Sequence, residues 1–115
     1  MYEQTRMLEG GKLMKIFSLY DHKKPFEHVI ERNEFSGIVV ANVHFYKPGE
    51  THNVHSHTDH EEVFVCFQGR GRVITDDREI KIARGDVLVF RLLESHGFRS
   101  DEVDPLAYLC IGIRT

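Results

Sequence analysis

The sequence predicts an all-β domain, a sandwich or barrel, and three observations predict it. Short runs rich in Val, Ile and Phe alternate apolar with polar residues, turn residues interrupt them at intervals of roughly 8 to 12 positions, and no stripe of helical period follows Ile16. Residues 1–15 have no clean period and include Gly10-Gly11, so they read as an N-terminal arm, and residues 16–115 read as one barrel domain.

The expected strands follow in chain order. Residues 16–20 and 26–30 are apolar runs divided by the turn residues of 21–25. Residues 37–46 place Val39, Ala41, Val43 and Phe45 on one face and Asn42, His44 and Tyr46 on the other, and end at Lys47-Pro48-Gly49. That polar face reads either as a wall toward a ligand or as the solvent side. The series continues with 63–67, 72–75, 79–82, 87–90, 96–99 and 106–113, separated by Gly69-Arg70-Gly71, Asp76-Asp77, Arg84-Gly85-Asp86 and residues 101–105.

Composition narrows the function classes. At 115 residues there is room for one core, and 41% apolar with 29% charged residues is ordinary for a packed domain. A net charge of −3 with scattered Lys and Arg gives little basis for binding a phosphate backbone, so nucleic acid is not an expected partner. No apolar run approaches the ~18 residues of a membrane span, and the first twenty residues carry charges without a secretory pattern, so a cytoplasmic location is expected. Cys66 and Cys110 lie in alternating apolar runs and read as reduced core thiols.

Chemistry concentrates between Gly49 and Gly69. On a strand, residues two apart share a face at ~6 to 7 Å, so His55 and His57 can aim two imidazoles at one ion. The polar residues 58–61 suit a hairpin connection that returns the chain and delivers Glu62. His96, after the 86–92 run and a polar Glu94-Ser95 turn, is the candidate for a fourth ligand from elsewhere in the chain.

These residues resemble the two motifs of the cupin superfamily, small β-barrels that hold a metal inside. The first motif is glycine, five residues, His-x-His, three or four residues, Glu, six residues, glycine; Gly49, His55, His57, Glu62 and Gly69 meet every position. The six-residue run to Gly69 favours Glu62 over Glu61, which is expected to face outward. The second is glycine, five residues, Pro-x-Gly, two residues, His, three residues, Asn; Gly85 and His96 match, while Arg91, Leu93 and Ser100 depart from it. Those departures predict a differently shaped loop before His96. His52 and His60 fall outside the motifs and read as rim or loop.

The resemblance implies a cupin double-stranded β-helix, or jelly-roll barrel, that binds one divalent metal through His55, His57, Glu62 and His96. It also implies a homodimer. Imidazole and carboxylate suit Fe, Mn, Ni, Co, Cu or Zn, and three histidines with one carboxylate leave one or two positions open on an octahedral ion. The expected partner is a small-molecule substrate. The leading expectation is a metal-dependent oxygenase; an isomerase, epimerase or lyase using the ion as Lewis acid is the enzymatic alternative, and a non-enzymatic ligand sensor is the third.

Overall fold

The computed structural model describes residues 3–7, 13–20, 24–56 and 59–115. Eleven strands and no helix lie among them. They are β1 (Glu3–Met7), β2 (Leu13–Phe17), β3 (Phe26–Ile30), β4 (Ile38–Phe45), β5 (Thr51–His55), β6 (His60–Gln68), β7 (Arg70–Ile74), β8 (Glu79–Ala83), β9 (Val87–Phe90), β10 (His96–Ser100) and β11 (Ala107–Arg114).

Two antiparallel sheets build the domain, one of order β3-β4-β11-β6-β9 and one of order β5-β10-β7-β8. β1 and β2 pair with each other as a separate ribbon. The strand expected at 16–20 instead spans Leu13–Phe17, and Leu19-Tyr20 form a turn. Tyr20 there packs edge-on against Phe67 and its hydroxyl donates to the Phe67 carbonyl at 2.8 Å, an anchor that a continued strand would not offer.

The pleat sorts β4 to both sides of its sheet. Val39, Ala41 and Val43 are buried on the outer face, where Val43, Phe67 and Ala107 gather with Phe17, Leu19, Val29, Phe45 and Leu109. The opposite face meets the space between the sheets. There Phe64 and Cys66 of β6, Tyr108 and Cys110 of β11, Val73, Ile82, Phe98 and Leu106 form the main core. Both cysteines are free and buried, as core thiols should be.

Two glycines let chain segments approach closely. A Cβ on Gly69, whose φ is +69°, would meet the Pro105 carbonyl oxygen at 1.8 Å, so the β6–β7 turn closes on the loop before β11 only with glycine. A Cβ on Gly97 would lie 2.6 Å from the His52 carbonyl oxygen and 2.8 Å from the Val54 nitrogen. Its absence lets β5 lie against β10, where the register shifts between His96 and Phe98.

Candidate metal centre

β5 and β10 pair so that His55 and His96 stand directly opposite each other, with ring centroids 4.9 Å apart. Glu62 reaches them from β6 in the other sheet. Ligand atoms of His55, Glu62 and His96 lie within 4.8 Å of one another. Glu62 is 8% and His96 1% exposed, so the three groups converge at a buried point where charge is costly unless matched.

Each imidazole is oriented by the backbone two residues before it. His55 Nδ1 lies 2.9 Å from the Asn53 carbonyl oxygen, and His96 Nδ1 lies 3.1 Å from that of Glu94. A carbonyl only accepts, so both Nδ1 atoms carry the proton and Nε2 presents its lone pair. Fixing the tautomer this way is the usual support for a metal-binding histidine. The His96 ring also stacks on Phe90 at 4.0 Å and meets the edge of Phe64 at 5.5 Å, which holds its plane.

Glu62 is held from two sides. Its Oε1 lies 2.7 Å from His96 Nε2, while its Oε2 accepts from the Cys110 thiol at 3.3 Å and lies 3.9 Å from His60 Nε2. Burial, then the Glu62 charge, push the Cys110 thiol far up, so it stays protonated and serves as a donor. Two imidazole nitrogens and one carboxylate oxygen fit a divalent ion of borderline character, whose ligand bonds are ~2.0 to 2.2 Å.

The sequence-predicted residues divide as follows. His55, Glu62 and His96 come together; His57 lies outside the described residues, and β5 ends at His55. Glu61 points away from the cluster, and its carboxylate accepts the Leu92 backbone N–H at 3.3 Å. The loop before His96 corrects an expectation. Leu93 has φ +68°, the left-handed conformation that suits the glycine the motif has there, so the residue has changed while the turn keeps a glycine-like backbone. Arg91 serves that turn, its N–H donating to Glu94 Oε1 at 2.6 Å. Ser100, at the motif's asparagine, is 3% exposed and accepts the Leu106 N–H through Oγ at 2.9 Å.

A cavity of about 310 Å³ opens onto the cluster. His55 and Glu62 line it together with the polar Asn42, His44, His52, Tyr108 and Cys110 and the apolar Phe64 and Phe98, and the His52 and His55 rings lie 5.0 Å apart. The polar face of β4 is therefore a cavity wall at Asn42 and His44. Tyr46 behind it is buried, its hydroxyl 2.7 Å from that of Tyr108 and 3.4 Å from His52 Nδ1. Burial pushes both phenols up, so both stay protonated. Burial, with His55 and His96 nearby, holds His52 below the ordinary imidazole range. Larger clefts of about 650 and 500 Å³ lie around Arg70 on the outside of β7 and β8, away from this cluster.

Tyr108 was not singled out from the sequence, and Cys110 was read there only as a core thiol. The alternation of 106–113 marked a strand, and its pairing with β6 in register Cys110 to Phe64 decides which face looks inward. That pairing joins residues far apart in the chain and is not a local signal.

Similarity to known proteins agrees with this architecture. A family model described as "Cupin domain" matches residues 42–112, more than half of the chain. An RmlC-like cupin protein from Desulfovibrio desulfuricans is 27% identical, with a TM-score of 0.74 over 87% of this chain and 96% of that one. TT1209 from Thermus thermophilus gives 20% identity and a TM-score of 0.72, over 88% and 98% of the two chains. A predicted oxalate decarboxylase from Thermotoga maritima gives 19% and 0.70, over 78% and 79%. No curated protein matches the sequence. Among the described residues, no helix is long and apolar enough to cross a membrane.

Proposed function

We infer that this chain, which belongs to the cupin family, is an enzyme that binds one divalent metal and acts on a small polar organic molecule as an isomerase, epimerase or lyase. The observation that carries this reading is that a candidate ligand set and a wall of hydrogen-bonding side chains share one cavity. His55 and Glu62 of the His55, Glu62, His96 set line the cavity together with Asn42, His44, His52 and Tyr108. His57 completes the proposed ligand set, as the family motif implies.

When bound, the metal supplies a Lewis acid for a substrate oxygen. The chain's own residues do the rest. Asn42 and Tyr108 offer hydrogen bonds that orient the substrate, Phe64 and Phe98 exclude water, and the histidines of the wall offer sites for a proton. An oxygenase also needs a lining that orients its substrate, but it does not need a side chain that moves a proton between carbons. Histidines in the lining supply such a group, which supports the Lewis-acid reading beside the oxygenase that leads from the motifs alone.

Protein purified without affinity nickel is expected to carry close to one ion per chain by elemental analysis. In His96→Ala or Glu62→Gln, occupancy should fall at least ten-fold under the same dialysis, with the β-sheet circular dichroism kept. Unchanged occupancy in both variants would sink the ligand assignment. Turnover of a candidate substrate that stops without dioxygen would favour an oxygenase, and binding without turnover would favour a sensor.

A further inference from the structure

We propose that His44, oriented by Glu50, is the proton-transfer group of this cavity, and that its substrate is a small hydroxy-carbonyl compound. The proposal rests on the metal-dependent reading above and names the residue and substrate class for it.

His44, on β4, lines the same cavity as His55 and Glu62 and is held on three sides. Its ring stacks on Tyr46 at 3.9 Å and 15°, Phe26 meets it edge-on at 5.9 Å, and Glu50 Oε2 lies 3.5 Å from its Nε2. Glu50 is itself pinned, because its Oε1 accepts the Lys47 N–H at 2.8 Å across the turn that follows β4. A carboxylate accepts, so Nε2 carries the imidazole proton and Nδ1 keeps a lone pair. A carboxylate that orients an imidazole in the lining of a reaction cavity is a recurring arrangement for proton transfer. Burial lowers the pKa of His44 from its ordinary value, partly opposed by Glu50, so the ring is neutral near pH 7 and able to accept.

The cavity limits the substrate. At about 310 Å³ it is small for a ligand site. Asn42, His52 and Tyr108 match hydroxyl groups. A hydroxy ketone or hydroxy aldehyde meets both conditions. His44 Nδ1 takes the proton from the carbon beside the carbonyl, and the C–H electron pair becomes the C=C bond of an enediol as the carbonyl oxygen takes up charge. The proton returns to the neighbouring carbon and the hydroxyl proton moves to the first oxygen. Ketone and aldehyde interconvert, and no oxidant is consumed.

Two measurements test this on the full chain. In ¹⁵N NMR at pH 7, the His44 ring should show the Nε2–H tautomer, and Glu50→Gln should shift it toward a mixture. Manganese-loaded protein in D₂O without dioxygen should place deuterium on carbon in dihydroxyacetone or D-fructose. His44→Asn should lose that exchange about 100-fold, and Glu50→Gln about ten-fold in kcat with KM little changed, both at wild-type manganese occupancy. Exchange within three-fold of wild type in His44→Asn, or a tautomer indifferent to Glu50→Gln, would overturn the proposal. Loaded wild-type protein inert toward both probes overturns the substrate class and His44's role but leaves the metal centre standing; a chain that takes up no manganese overturns the reading beneath it.

Discussion

Leu93 keeps a backbone conformation that costs an L-residue about 1 to 2 kcal/mol, and at 60% exposure its side chain recovers little of that by burial. Leu93→Gly removes the clash but adds freedom to the unfolded chain, a loss of roughly 0.4 to 1 kcal/mol. The expected net gain is between about 0 and 1.6 kcal/mol, read as a higher urea midpoint with an unchanged slope. A lower midpoint would mean that the turn before His96 depends on the leucine side chain. Residue by residue, the ligands were the legible part of the site. His55, Glu62 and His96 were readable because the motif fixes their separations, and the structure brings those three together. Their supports were not. The Asn53 and Glu94 carbonyls that set the two tautomers belong to backbone, which carries no residue-type signal, and the Cys110 thiol on Glu62 depends on a partner far along the chain.

At the scale of elements, the weak point is β5, which among the described residues is an edge strand paired with β10 and carries His55 at its end. Gly97 makes that pairing possible, so Gly97→Val should force β5 away from β10. The core between the sheets does not use β5, and its cluster of Phe64, Cys66, Phe98, Leu106 and Tyr108 should survive. Gly97→Val is therefore expected to cost roughly 1 to 3 kcal/mol in global stability and at least ten-fold in metal affinity. Urea melts and manganese titration measure the two, and full affinity in this variant would show that the site tolerates displacement of β5. Strands from β3 onward were mostly legible within one or two residues because alternation is local. The order of the sheets was not, since β11 lies between β4 and β6 by pairings distant in sequence. The two-residue spacing suggests one strand through His55 and His57; β5 carries the first of them at its end, and His57 lies outside the described residues.

For the whole molecule, the outer face of the five-stranded sheet supplies the argument for assembly. Register places Val87 beside Val65 and Val89 beside Val63 on β6, and β11 then brings Leu109 and Ile111 alongside. Val87 is 58%, Val89 56% and Ile113 38% exposed. β9 is an edge strand of that sheet, a position where lone strands usually carry charge or proline to block pairing, and here it presents valines. We propose that a second copy covers this face in a two-fold dimer, the same patch serving on both sides. Continuity of the valine row with the sheet edge favours this occupant, and the family resemblance implies the same state. Wild-type protein should sediment as a dimer at micromolar concentration. In Val87→Glu/Val89→Lys the two-fold apposes charge to an apolar face, and dissociation should rise at least 100-fold, about 2.7 kcal/mol. The ligand cluster lies on the opposite side of this sheet, so metal occupancy should stay at the wild-type level. A monomeric wild type, or a variant that remains dimeric, would place the contact elsewhere or remove it.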